Sequence, residues 1–233
     1  MKQNVLDKGF VEVIDSLGSD LTVVNSARVS FGKRKEKFTD GDRKLVRYLA
    51  KYKHFSPFRH IQVQFHIKAP EFVMRQWYKH VVGIETTSNS STKDHAWNEI
   101  SGRYVPVEDF YTPEIFRQQS EDNKQATEGA VKDQETAKHH WDVAMFHAKE
   151  QYDKLLKMGV GKEQARGILP LNQYTEVYWT ASFQAIMNFI ELRYEKTSQW
   201  EIQEYAKVLL DIVTELFPET TKAWMPNIGV TDG

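Results

Sequence analysis

The sequence predicts an α+β fold, a mostly antiparallel sheet packed with helices in a single domain covering residues 1–233. Three observations carry that expectation. Ile61, Val63, Phe65 and Ile67 alternate with Gln62, Gln64, His66 and Lys68, the period-two pattern of a half-buried strand. Phe183, Ile186, Met187, Ile190 and Tyr194 recur at helical spacing and make one core stripe. The 233 residues hold no internal repeat and no stretch with the composition of a linker, so one core suffices.

In chain order, residues 10–15 read as a first strand and residues 21–30 as a short helix. Thr39 and Asp42 form a capping-box pattern ahead of Leu45, Leu49 and Tyr52, placing a helix that runs towards Pro57. After the strand at 61–68, Pro70 suits the first turn of a helix carrying Phe72, Val73, Trp77 and His80. The charge-rich segment 117–158 reads as one long helix, with Trp141, Met145, Tyr152 and Leu155 on one side and Gly159 and Gly161 ending it. A short helix near residues 165–166, a strand at 174–181 and a helix at 182–194 follow. Ser198 and Glu201 are expected to cap a final helix through Ile202, Ala206, Leu209, Val213 and Leu216, stopped by Pro218.

Composition excludes several classes of function. Lys and Arg number 31 against 32 Asp and Glu, so no global field favours nucleic acid or an anionic membrane. No apolar run reaches a bilayer span and the first residues lack an apolar signal core, which makes cytoplasmic the expected location. The absence of cysteine removes disulfides, thiolate metal sites and every mechanism needing a cysteine nucleophile.

Two stretches concentrate chemistry. Arg75-Gln76-Trp77-Tyr78-Lys79-His80 and Asn98-Glu99-Ile100-Ser101-Gly102-Arg103-Tyr104 gather cations, a carboxylate, amides, a hydroxyl and a glycine around aromatic rings. That inventory suits an anionic, ring-containing small molecule. Arg75 and Lys79 are i,i+4 neighbours able to converge on one anion, and Ser101 and Arg103 flank Gly102 as a phosphate turn would require. Gln184 and Asn188, also i,i+4, read either as a polar exterior or as a pair meeting a ring edge. His139, His140 and His147 lack i,i+4 spacing with one another, so no metal site is expected.

Together these segments resemble the flavin-dependent thymidylate synthase family. The family signature, Arg-His-Arg followed after a spacer by Ser-x-Arg, appears in variant form as Lys79-His80-Val81 and Ser101-Gly102-Arg103. Residues 6–12, 27–31, 56–60, 68–70, 169–172, 187–189 and 199–203 match further family segments in order. The resemblance implies reductive methylation of dUMP to dTMP, with FAD as redox cofactor, methylenetetrahydrofolate as carbon donor and NADPH as reductant, in a homotetramer whose sites combine several subunits. It makes Arg193 the catalytic residue that faces the uracil and favours ionisation at N3. It assigns dUMP to Gln76, Trp77, Tyr78, Lys79, Glu99, Ile100, Ser101, Gly102, Arg103, Arg166 and Arg193. It assigns FAD to Ser56, Arg59, Lys79, His80, Glu99, Ser182, Gln184 and Asn188.

The sequence departs from the family pattern in three places. Val81 and Lys79 replace arginines of the triplet, Arg59 stands where an acid is common, and Gln184 replaces a commonly basic flavin contact. Arg59 is therefore expected to supply the missing flavin-side charge. Residues 82–97 form a Ser/Thr-rich loop insertion, expected to act as a rim or lid over the nucleotide. A related flavin- and folate-dependent hydroxymethyl transfer, or a catalytically idle nucleotide-binding relative, are the alternative functions.

Overall fold

A computed structural model describes residues 1–80 and 96–229. The chain opens with a strand that hydrophobic periodicity does not announce. β1 (Lys2–Val5) pairs antiparallel with β2 (Gly9–Leu17), setting Lys2 opposite Glu12. Its polar residues belong to an edge strand held by backbone pairing and by the Lys2–Glu12 ion pair at 3.3 Å. β2 must begin with glycine. A Cβ at Gly9 would lie 2.1 Å from the Tyr205 hydroxyl and 2.8 Å from the Lys68 carbonyl oxygen.

α1 (Asp20–Arg28) runs into a 3₁₀ turn, Val29–Phe31, and α2 (Asp40–Lys51) starts from the expected Thr39–Asp42 capping box. Asp42 does more than cap. Fully buried, it accepts Arg28 Nη2 at 2.8 Å, Lys35 Nζ at 2.5 Å and the Thr39 amide at 2.9 Å. Burial pushes its carboxyl pKa up, but the hydrogen bonds from Lys35, Thr39 and Arg28 outweigh it and hold the group far below the usual range.

β3 (Gln62–Pro70) keeps the expected alternation, with Val63, Phe65 and Ile67 fully buried. α3 (Glu71–Trp77) corrects the sequence reading at both ends. Pro70 ends the strand and serves as N-cap, because the segment 171–173 completes the helix start instead. The Glu71 and Phe72 amides donate to the carbonyls of Gln173 and Leu171 at 2.9 and 3.0 Å. Lys79 and His80 lie beyond the last helical residue. β4 (Trp97–Glu99) takes the final residue of the expected insertion, and residues 81–95, with the expected lid, lie outside the described residues.

The long helix expected at 117–158 is wrong over residues 117–133. β5 (Arg117–Gln119) and β6 (Thr127–Ala130) form a hairpin, and α4 (Gln134–Lys157) begins only where Asp133 accepts the Thr136 amide at 2.9 Å. The physical signal lies in Ser120-Glu121-Asp122-Asn123 and in Gly129, whose φ of 54° no helix tolerates. α5 (Lys162–Ala165) passes into the 3₁₀ turn Arg166–Ile168. β7 (Tyr174–Ser182) and α6 (Phe183–Arg193) follow as expected, with the Ser182 hydroxyl capping α6 by accepting the Ala185 amide at 3.2 Å.

α7 (Trp200–Leu216) has Gln199 as its N-cap. Ser198 caps nothing: its hydroxyl donates to the Leu192 carbonyl at 2.9 Å. Glu201 is buried and paired to Arg117, so neither member of the expected box performs that task. Pro218 ends α7 and opens a further helix, α8 (Pro218–Trp224), whose first position needs no amide donor.

The five-stranded sheet has the order β1-β2-β3-β7-β4, antiparallel at every described pairing. One face of β3 and β7 packs into the core with α6 and α7. There Trp77 lies 4.3 Å from Phe189 and 5.5 Å from Trp179, centroid to centroid. The other face of β3 shows Gln62, Gln64, His66 and Lys68. This arrangement delivers the ends of α3, α6 and β4 to neighbouring parts of the surface as functional material.

Candidate functional site

The predicted site residues fall into three groups. The first lines a cavity of about 280 Å³ that includes Glu71, Glu99, Ile100, Gly102, Arg166, Tyr174 and Thr175. β4 delivers Glu99, and the Ile100 amide donates to the Glu176 carbonyl at 2.9 Å, which ends the strand pairing. The chain then turns tightly. Tyr104 and Val105 amides both donate to the Ser101 carbonyl, at 2.9 and 3.1 Å, and the Arg103 amide donates to Ser101 Oγ at 3.3 Å. Gly102 lies against Arg166, so a Cβ there would stand 3.1 Å from Arg166 Cδ. Arg103 is exposed, 3.5 Å from Glu163.

Glu99 accepts a hydrogen bond from Thr175 Oγ1 at 2.7 Å and meets Glu71, a residue the sequence reading passed over. Burial, then the adjacent Glu99 charge, push the Glu71 carboxyl pKa up, against the pull of Arg75 and Arg166. An acid directly after Pro70 reads first as a helix start, which is why its site-facing position is missed.

The second group joins the ends of α3 and α6. Arg193 Nε donates to His80 Nε2 at 2.9 Å, and the His80 ring stands edge-on to Phe189 at 4.9 Å. Burial, aided by the Arg193 charge, pulls the His80 pKa down to about 4, so the ring is neutral at pH 7 and accepts at Nε2. Burial also lowers the Arg193 pKa. Gln76 Nε2 donates to Gln199 Oε1 at 2.7 Å, while Tyr78 and Lys79 are exposed and the Tyr78 ring meets Trp97 edge-on at 5.5 Å. Trp77 is a core side chain, 1% exposed, and its ring serves packing in this chain.

The third group sits on the 3₁₀ turn Ser56–Arg59 and the start of α6. Arg59 Nε donates to Gln184 Oε1 at 2.6 Å, so two of the departures noted in the sequence are partners. Gln184 is 4% exposed and Asn188 half-buried, whereas Ser56 is exposed. The polar-exterior reading of Gln184 fails because the α6 start is buried on every side. No cluster of potential metal ligands occurs among the described residues, and no described helix is long and apolar enough to cross a membrane.

An antiparallel α+β domain that presents a cavity lined by Arg166, Lys68 and several carboxylates, a Ser-Gly-Arg turn and a desolvated Arg–His pair has the features of a small-molecule-binding enzyme. The chain belongs to the thymidylate synthase complementing protein family, whose model matches residues 12–219. It is 42% identical over 220 residues to a flavin-dependent thymidylate synthase of Thermus thermophilus, covering 92% of this chain and 74% of that protein. It is 38% identical over 229 residues to one of Thermosipho africanus, covering 97% and 94%. Among solved structures, a UMP/dUMP methylase PolB from Streptomyces cacaoi bound with 5-Br dUMP superposes with a TM-score of 0.82. That match has 30% identity and covers 99% of this chain and 100% of that one.

Proposed function

We propose that this enzyme methylates dUMP to dTMP, drawing the carbon from methylenetetrahydrofolate and two electrons from NADPH. The observation that carries the reading is the Ser101-Gly102-Arg103 turn packed against Arg166, whose guanidinium in the cavity wall offers charged donors to a phosphate.

Arg193 is the group that acts on the base. Its Nε is engaged by neutral His80, which leaves both terminal NH₂ groups to face the uracil as parallel donors. A guanidinium stays charged at neutral pH and stabilises negative charge developing at N3 and the adjacent carbonyl. The chain has no cysteine, so activation of the ring falls to this electrostatic route. Ser101 Oγ accepts the Arg103 amide within the turn, and its role is binding. Gln76, Tyr78, Lys79, Glu99 and Ile100 complete the nucleotide contacts.

The donor set of the third group fits FAD. Arg59 fixes the oxygen of the Gln184 carboxamide, so the Gln184 NH₂, Asn188, Ser56 and the remaining Arg59 hydrogens supply donors suited to phosphate or a flavin edge. FAD supplies the two-electron redox chemistry that converts the transferred carbon to a methyl group. Ser182, Lys79, His80 and Glu99 extend that site, in a cytoplasmic homotetramer whose subunits share residues.

Growth of a thymidine-requiring bacterium lacking its own synthase, after introduction of this gene, tests the reading. Incubation of the purified enzyme with dUMP, methylenetetrahydrofolate and NADPH must yield a nucleotide heavier by one CH₂ unit, a methyl group replacing a ring hydrogen. A hydroxymethylated product, or none, refutes it.

A further inference from the structure

We propose that Arg117 on the β5–β6 hairpin is a positioning residue for nucleotide binding, acting through Glu201 and Gln199 to fix which end of the Gln76 carboxamide meets the ligand. The inference rests on the reading of Gln76 as a dUMP contact.

The argument starts from Glu201, which is 4% exposed in the first turn of α7. An ionised carboxylate only accepts. Its Oε1 receives Arg117 Nη2 and the Tyr111 hydroxyl, the latter at 3.1 Å, and its Oε2 receives Gln199 Nε2 at 3.0 Å. The Arg117 guanidinium also stacks 4.6 Å above the Trp200 ring, which fixes it to the start of the same helix. Burial and the Glu201 charge raise the Tyr111 pKa, so that hydroxyl keeps its proton and donates.

Polarity then passes along the chain of amides. Because Gln199 must turn its NH₂ towards Glu201, its Oε1 faces Gln76 and accepts Gln76 Nε2 at 2.7 Å. The same Gln76 nitrogen donates to the Phe72 carbonyl at 3.3 Å, so both of its hydrogens are engaged. Gln76 Oε1 is therefore the atom presented to a ligand, and it selects a donor: a sugar hydroxyl or a ring N–H. Without Arg117 the buried Glu201 carboxylate loses its cation, protonates or reorients, and ceases to dictate the direction of the amides.

The test compares Arg117→Ala, Gln199→Ala and Gln76→Ala, together with each pairing with Gln76→Ala, by dUMP titration and steady-state kinetics. Gln199 is exposed, so its variant keeps the test open if Arg117→Ala fails to fold. Each single change should raise the dUMP Kd and KM by roughly 3- to 10-fold, the scale of one lost hydrogen bond, and Arg117→Ala and Gln199→Ala should do so with kcat and flavin content unchanged. In the Gln76→Ala background the other changes should add nothing. Affinity unaltered by Arg117→Ala and Gln199→Ala, or losses that multiply with Gln76→Ala, overturns the relay. Unaltered affinity in Gln76→Ala overturns it at its base. Absence of dUMP turnover by the unaltered enzyme defeats instead the functional reading on which the relay stands.

Discussion

A Cβ built on Gly102 lies 3.1 Å from Arg166 Cδ and 3.4 Å from its Nη1. The backbone there has an ordinary dihedral, so the glycine serves close approach rather than a strained turn. Gly102→Ala is expected to displace the Arg166 side chain, raising the dUMP KM by roughly 10-fold, a single charge-assisted contact, while the melting temperature barely moves. At Arg59 the charge reverses the usual sign. Arg59→Glu should purify with much less flavin, read from the visible absorption bands, and full flavin occupancy would rule out its role. His80 supplies a pH dependence. Its folded pKa is about 4, against about 6.5 in an unfolded chain. Between these values the unfolded state binds a proton that the folded state does not, so stability falls as pH drops from about 6.5 towards about 4. His80→Gln, which keeps an acceptor for Arg193, should flatten that part of a denaturation-versus-pH curve.

Among the elements, α2 and α4 show how one carboxylate at a helix start serves different ends. Asp133 caps α4 from the surface, accepting only local donors. Asp42 caps α2 while buried, and it also ties Arg28 at the end of α1 to Lys35 in the connecting loop. Asp42→Asn is expected to destabilise the fold by about 2–3 kcal/mol, since charge-assisted hydrogen bonds to two cations are lost, as chemical denaturation would measure. The box Thr39–Asp42 is readable in the sequence because it is local. The one placed at Ser198–Glu201 has the same residue types and is wrong, because Arg117 and Tyr111 arrive from distant segments and claim the carboxylate. The hairpin at 117–130 is missed for a related reason. A charged segment without an apolar stripe gives helix periodicity nothing to contradict, and only the turn residues mark the break.

For the whole molecule, the described chain leaves Val29 at 71%, Phe31 at 78%, Phe146 at 65% and Met158 at 78% exposure. Light scattering on the purified enzyme should return the mass of four chains, and a monomeric mass would exclude the homotetramer.

The α+β class, the strand at 61–68, the strand and helix at 174–193, the family and the Ser101-Gly102-Arg103 turn are all legible in the amino-acid order. These are written in local periodicity and in short contiguous motifs, which need no partner to be read. It takes the folded chain to make Arg59 and Gln184 partners across 125 positions, to rest Arg193 on His80, and to put Trp77 in the core rather than in the cavity. The same holds for Glu71 beside Glu99 and for the amide chain reaching Gln76 from Arg117. Hydrogen bonds and burial depend on which segments the sheet order brings together, and that order is a property of the packed core.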